Sequence, residues 1–177
     1  FISYSAIKDT KQIRKLIFIL GITVLIIAIY GFGQKYLGWP VYSTMNREFA
    51  KGWRLVLTQY ARVPATFAGH YDLAAYLAFF LTVFISLGLF LKKNKQKIFF
   101  LIIFFIAFLL LILTASRTSF IAYLIGVTLV VFFLSLRVRK KIFWGVTRWL
   151  MVMVLSLFIM FNFGDLSERF ANFFKFN

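Results

Sequence analysis

The 177-residue chain is 62% hydrophobic and 21% aromatic, and its formal net charge is +16. Soluble chains are nearer half apolar, and a domain of this length has too small an interior to bury the excess. An ordinary soluble domain is therefore excluded. The surplus apolar surface must face lipid, and we expect an all-α polytopic membrane bundle.

Residue counts also restrict the chemistry. The chain has no cysteine, one histidine and five carboxylates, which excludes disulfides and thiolate metal sites and argues against a conventional metal cluster. We expect neither a metal nor another cofactor. The positive charge does not indicate a nucleic-acid partner, because the basic residues lie mainly at the ends of apolar runs, where membrane orientation explains them.

In chain order, five continuously apolar runs are long enough to cross a lipid bilayer as helices. They do not alternate between apolar and polar residues, as strands of a membrane barrel would. The predicted spans are 16–32, 73–91, 98–113, 120–136 and 142–163. Together they form a single transmembrane domain over 1–177, with one long connection at 33–70.

The short connections carry an orientation signal. Basic clusters precede the first span and fill the connections at 92–97 ("KKNKQK") and 137–141 ("RVRKK"). Since positive residues in short connections mark the cytoplasmic side, we predict a cytoplasmic N-terminus. The long connection and the "TASRTS" turn at 114–119 are then external.

The external connection contains "MNREFAKGWRLVLTQYAR" (45–62), which has helical periodicity. At 100° per residue its apolar and basic residues separate, which predicts an external amphipathic helix. The basic side carries Arg47, Lys51, Arg54 and Arg62. Two interpretations remain open: the helix rests on anionic lipid, or it covers an external cavity and holds a diphosphate.

Arg117 lies in the external "TASRTS" turn, with Ser116 and Thr118 beside it. We expect Thr118 and Ser119 to cap the next helix. A helix N-terminus with a guanidinium group beside it is suited to bind phosphate. The alternative is an interfacial arginine that ends one helix and extends to lipid headgroups.

His70 and Asp72 lie where the second span begins. We expect Asp72 to cap this helix and His70 to titrate near neutral pH. Without a nucleophile the pair is a weak signal for catalysis. The alternative is a helix cap beside an interfacial histidine.

Two stretches resemble the bacterial O-antigen ligase and polymerase family. "RVPATFAGHYDLAAYLAFFL" (62–81) resembles a Thr-Phe turn that opens a helix beginning Ala-x-Tyr-Leu, and "LILTASRTSFIAYLIG" (111–126) resembles that family's Ser-Arg turn. Their order, the basic connection between them and a closing "SERF" (167–170) also agree. The resemblance covers about residues 55–170, although many family members have an Asn-Pro-Asn-like turn where this chain has "HYD" at 70–72.

The resemblance implies an inverting, metal-independent glycosyltransferase at the outer face of the bacterial cytoplasmic membrane. Its donor would be a glycan on undecaprenyl diphosphate, and its acceptor a lipid, a sugar hydroxyl or a growing polymer. Family arginines hold the diphosphate, which makes Arg117 the first candidate and Arg62 the second, with Ser116 and Thr118 shaping the turn. The family's catalytic histidine lies beyond this chain, so His70 is not assigned as the base. We expect an internal piece of a larger fold, inactive alone.

Two other function classes fit the same sequence. A transporter or flippase of an anionic lipid or solute would use the basic exterior, but it should also place charges inside the spans, which have almost none away from their ends. A non-catalytic membrane scaffold would not require Arg117.

Overall fold

The structure is a computed structural model that describes residues 9–41, 55–58, 60–139 and 142–162. This part of the chain is all-helical, with five helices and no strands, which confirms the predicted fold class. The helices are α1 (Thr10–Tyr36), α2 (His70–Phe90), α3 (Asn94–Leu113), α4 (Arg117–Arg139) and α5 (Ile142–Asn162). The first four begin before the apolar runs, at polar and basic residues, because the ends of a membrane helix can extend into the polar interface.

Four of the described helices are long and apolar enough to cross a membrane. They are Lys11–Tyr36, His70–Phe90, Asn94–Leu113 and Arg117–Leu134. In α5 the described apolar stretch is shorter, Val146–Asn162. A helix of about 20 residues matches the roughly 30 Å of hydrocarbon in a bilayer. The chain is therefore a multi-pass membrane protein.

Helix α2 lies at the centre of the described bundle, packed against α3 and α4, while α1 packs on α3 and α5 on α4. Its inward face carries Leu73, Leu77, Leu81 and Phe84, all fully buried. Large apolar side chains such as Phe79 and Phe133 point outward and are more than half exposed. Exposed aromatic residues along apolar helices form a lipid-facing surface.

Side-chain hydrogen bonds connect α4 to α5. The hydroxyls of Tyr123 and Ser156 lie 2.8 Å apart and both residues are buried. Nearby, Trp149 Nε1 donates to Thr128 Oγ1 at 2.9 Å. Such bonds inside a membrane contribute about 0.6 kcal/mol each, so they add specificity to an otherwise apolar contact.

The short connections make α2, α3 and α4 antiparallel neighbours and give the bundle two chemically different ends. The arginine end comprises the C-terminus of α1, the N-termini of α2 and α4 and the connection at 114–116. The lysine end comprises the N-terminus of α1 and the connection between α2 and α3.

The predicted amphipathic helix does not extend to Arg62, so that part of the prediction is wrong. Residues 55–58 and 60–62 are not helical. The Val41 N–H donates to the Leu55 carbonyl at 2.9 Å, and the Val63 N–H donates to the Leu113 carbonyl at 3.2 Å. Backbone groups paired with other segments cannot form a helix ladder, and Pro64 disfavours helical geometry at the residue before it. Residues 45–54, with Arg47, Lys51 and Arg54, lie outside the described residues.

Candidate functional site

The turn between α3 and α4 fixes Arg117. The Ser119 N–H donates to Ser116 Oγ at 3.4 Å, and the two hydroxyls lie 3.0 Å apart. Ser116 therefore caps α4, and the prediction that Thr118 and Ser119 cap it is wrong. The reason is that α4 begins at Arg117, earlier than the apolar run, so Thr118 and Ser119 already belong to its first turn.

Arg117 is exposed at the first position of α4, with the exposed Thr118 next to it. The preceding residues 114–116 are buried and hold the turn against the bundle. The first N–H groups of a helix lack intrahelical partners and carry partial positive charge. The guanidinium adds a full positive charge beside them, so this turn has the chemistry of an anion site.

Arg62, His70 and Tyr71 form one cluster at the arginine end. Arg62 Nη1 lies 2.7 Å from His70 Nε2 and donates to the Tyr71 hydroxyl at 3.0 Å. Its guanidinium carbon lies 5.7 Å from the centroid of the Tyr71 ring. A guanidinium group can only donate, so Nε2 accepts and the ring proton is on Nδ1. The contact thus requires a neutral imidazole.

The Arg62 segment is attached to both α1 and α3. The fully buried Val63 donates its N–H to Leu113, the last residue of α3. Gln34 Nε2, on α1, donates to the Ala65 carbonyl at 3.1 Å. Because Leu113 leads directly into the turn at 114–116, the segments that carry Arg62 and Arg117 are hydrogen-bonded neighbours at one end of the bundle.

Two alanines near these arginines have left-handed backbone geometry. They are Ala65 (φ +49°) and Ala115 (φ +51°), and no other non-glycine residue in the described part has positive φ. For an L-residue this geometry costs roughly 1–2 kcal/mol. Backbone strain of this kind clusters at functional sites, where surrounding contacts maintain it. Ala65 lies three residues after Arg62, and Ala115 lies two residues before Arg117.

Sequence reasoning missed Gln34 and Tyr71. Gln34 is fully buried, and its Nε2 donates to the carbonyls of Pro40 and Ala65. Its Oε1 is buried with no hydrogen-bond partner in the described structure. An amide near the end of an apolar run is the signal that identifies Gln34. For Tyr71 the only signal is its place beside His70.

Asp72 does not cap α2, contrary to prediction. The helix begins at His70 with Gly69 as its N-cap residue, so Asp72 lies in the first turn. Its carboxylate is exposed and interacts favourably with the positive end of the helix dipole.

A groove of about 460 Å³ lies between α2 and α4 beside the Arg117 turn. Small side chains form most of its surface. The lining residues are Ala75, Ala78, Phe79, Thr82, Thr118, Ser119, Ala122 and Gly126. A Cβ on Gly126 would lie 2.6 Å from Thr82 Cγ2, so the two helices are in direct contact there. The groove is apolar and begins beside Thr118.

The described residues contain no group of three or more His, Cys, Asp or Glu side chains that could hold a metal ion. Among the site candidates, the structure brings Arg62 and His70 into contact and ties their segment to the turn of Ser116, Arg117 and Thr118. "SERF" (167–170) lies outside the described residues. No protein-family model, curated protein or solved structure matches the chain.

Proposed function

We propose that the chain is part of a membrane glycosyltransferase of the O-antigen ligase and polymerase type. It would transfer a glycan from undecaprenyl diphosphate to a lipid or sugar acceptor. The observation that carries this proposal is the placement of Arg62 and Arg117 on two hydrogen-bonded segments at one end of an apolar bundle. The resemblance of 62–81 and 111–126 to that family supplies the reaction class.

In the proposed reaction an acceptor hydroxyl attacks the anomeric carbon of the sugar, and the bond to the diphosphate oxygen breaks. Negative charge develops on the departing diphosphate. Arg117 and Arg62 would stabilise that charge by charge-assisted hydrogen bonds, which requires no metal. The proton of the acceptor hydroxyl would pass to a general base.

The groove beside Thr118 suits the isoprenoid part of the donor. It is apolar, it lies between two membrane helices, and its lining includes Thr118, the residue that follows Arg117. A lipid diphosphate has an anionic head joined directly to an apolar chain, so its two parts match the turn and the groove. We therefore place the diphosphate at Arg117 and the chain between α2 and α4.

The charge distribution supports an orientation for this reaction. The lysine end carries the basic start of α1 and the short basic connection between α2 and α3, and basic residues in such short segments mark the cytoplasmic side. The arginine end would then face outward from the bacterial cytoplasmic membrane. The external helix proposed around Arg47, Lys51 and Arg54 would guide the donor towards the site.

Reconstitution of the full-length protein in vesicles discriminates this function from transport. With a fluorescent glycan on undecaprenyl diphosphate, a transferase forms a glycosylated acceptor and releases undecaprenyl diphosphate. A flippase moves intact donor between leaflets without forming a product, and a scaffold does neither. Product formation that requires both donor and acceptor supports the proposal, and donor movement without product contradicts it.

A further inference from the structure

A second cleft, of about 440 Å³, lies at the lysine end between α1, α2 and α3. Its apolar lining includes Ile17, Leu87, Phe99 and Phe100. Phe100 is almost completely buried, and the rings of Phe18 and Phe99 stack with centroids 4.8 Å apart. The volume falls within the usual range of small-molecule sites, about 300–1,000 Å³.

Close packing of α1 against α3 closes the cleft on the side that faces the middle of the bundle. A Cβ on Gly21 would lie 2.9 Å from Ile103 Cδ1 and 3.6 Å from Phe99 Cε1. The helices therefore touch about one turn beyond Ile17. The space between them lies on the other side of this contact, towards the lysine end.

The lining also includes polar side chains from two helices. Arg14 and Lys95 are exposed, and Gln96 is half-buried. The surrounding surface is strongly positive, since Asp9 is the sole carboxylate that the structure describes at this end. Along α1 and from the end of α2 into α3, the basic residues are Lys11, Arg14, Lys15, Lys92, Lys93, Lys95 and Lys97.

We propose that this cleft is a binding site for an anionic phospholipid. One acyl chain would lie against Ile17, Leu87 and Phe99. The phosphate would lie between Arg14 and Lys95, with the Gln96 amide as an additional donor. An apolar cleft with basic residues between membrane helices matches the two parts of such a lipid.

The positive charge around the cleft indicates which class of lipid headgroup it would bind. Basic side chains attract a headgroup with net negative charge most strongly, whereas the cation of a zwitterionic headgroup offsets the attraction of its phosphate. Lys92 and Lys93 are exposed on the same connection but do not line the cleft. They therefore provide a matched control for general attraction to a negative surface.

The test is native mass spectrometry of the full-length protein with phosphatidylglycerol, with phosphatidylcholine of the same chains, and with glycerol phosphate. Phosphatidylglycerol should be retained preferentially. The double substitution Arg14→Gln, Lys95→Gln should reduce its retention about thirty-fold, because each basic residue near an anionic lipid contributes about a factor of five. The control Lys92→Gln, Lys93→Gln removes the same charge and should leave retention nearly unchanged.

A second variant tests the apolar part of the site. Leu87→Trp should fill the cleft and reduce retention of phosphatidylglycerol while Arg14 and Lys95 remain. Equal losses in the two charge variants, equal retention of phosphatidylcholine, or equally strong binding of glycerol phosphate would overturn the proposal. If Leu87→Trp does not fold, the two charge variants still test whether Arg14 and Lys95 bind the lipid. The cleft lies at the opposite end from Arg117, so failure here leaves the proposed glycan transfer untouched.

Discussion

The contact between Arg62 and His70 gives the histidine a specific role. At 2.7 Å, His70 Nε2 accepts from the guanidinium and, with Tyr71, fixes where it lies. We therefore interpret His70 as a positioning residue for Arg62. This role requires a hydrogen-bond acceptor and does not require an imidazole that exchanges protons.

The substitutions His70→Gln and His70→Leu separate these roles. Glutamine can still accept from Arg62, so we expect His70→Gln to retain most of the glycan transfer. His70→Leu should lower the transfer rate about 10- to 150-fold, since a hydrogen bond to a charged group contributes about 1.5–3 kcal/mol. Transfer rates of the purified full-length variants provide the measurement. Loss of all transfer in a folded His70→Gln variant would instead indicate acid–base chemistry.

Gln34 holds the segment that carries Arg62 from the side of α1. Its Nε2 donates to the Ala65 carbonyl, and Pro40 receives a second donor from the Tyr30 hydroxyl at 2.8 Å. Replacement of Gln34 would therefore affect the Ala65 carbonyl more than the Pro40 carbonyl, which keeps its bond from Tyr30.

We expect Gln34→Met to lower the free energy of unfolding by about 1–3 kcal/mol, because a buried carbonyl is left without its donor. Displacement of the 61–65 segment should also reduce transfer by weakening the position of Arg62. Thermal unfolding in detergent and the transfer rate are the measurements. Thr23→Val, which removes an exposed hydroxyl contact within α1, is the control. Unchanged stability and rate in Gln34→Met would contradict this role.

At the scale of the helices, α5 depends on α4 for its specific placement. We predict that Trp149→Phe and Thr128→Val each lower stability by about 0.6 kcal/mol, with a maximum near 1.7 kcal/mol, typical of hydrogen bonds within a membrane. The double variant should cost little more than either single variant, because both remove the same bond. Unfolding of the four proteins in bicelles measures this coupling. Fully additive losses would show that the bond contributes nothing.

The groove between α2 and α4 can be filled from its lipid side. Ala122 lines it and is exposed, whereas the neighbouring exposed Ile121 does not line it. We predict that Ala122→Phe raises KM for the lipid-linked donor about tenfold, the effect of about 1.4 kcal/mol of binding energy. Ile121→Phe should leave KM unchanged. Equal effects of the two substitutions would contradict the placement of the isoprenoid chain.

At the scale of the molecule, continuous apolar runs predicted the five helices that the structure describes, because a membrane leaves few other ways to satisfy the backbone. The helix ends were less predictable. Asp72 and Ser119 look like caps beside the apolar runs, but the helices begin earlier, at His70 and Arg117. Periodicity also predicted a helix through Arg62, because the spacing of residues along the chain contains no information about the pairing of Val41 with Leu55.

The residues that make up the candidate site were partly predictable from the sequence. Arg117 beside a helix N-terminus follows from one turn of local sequence. The contact of Arg62 with His70 does not, because it depends on the backbone path from Pro64 to Gly69 and on the bond between Val63 and Leu113. The place of Gln34 in the site was not predictable either, because it depends on a contact with Ala65, which is distant in sequence.

The central claim is that Arg117 and Arg62 stabilise a departing lipid diphosphate, and the transfer rate of the purified full-length protein tests it most directly. We predict that Arg117→Ala and Arg62→Ala each lower kcat about 10²-fold in folded protein, as expected when a donor to developing charge is removed. Arg117→Lys should recover part of the rate, since lysine keeps the charge but lacks the bidentate fork. Arg148→Ala, beside Phe90 at the lysine end, should leave the rate unchanged. Full transfer by a folded Arg117→Ala variant would contradict the claim.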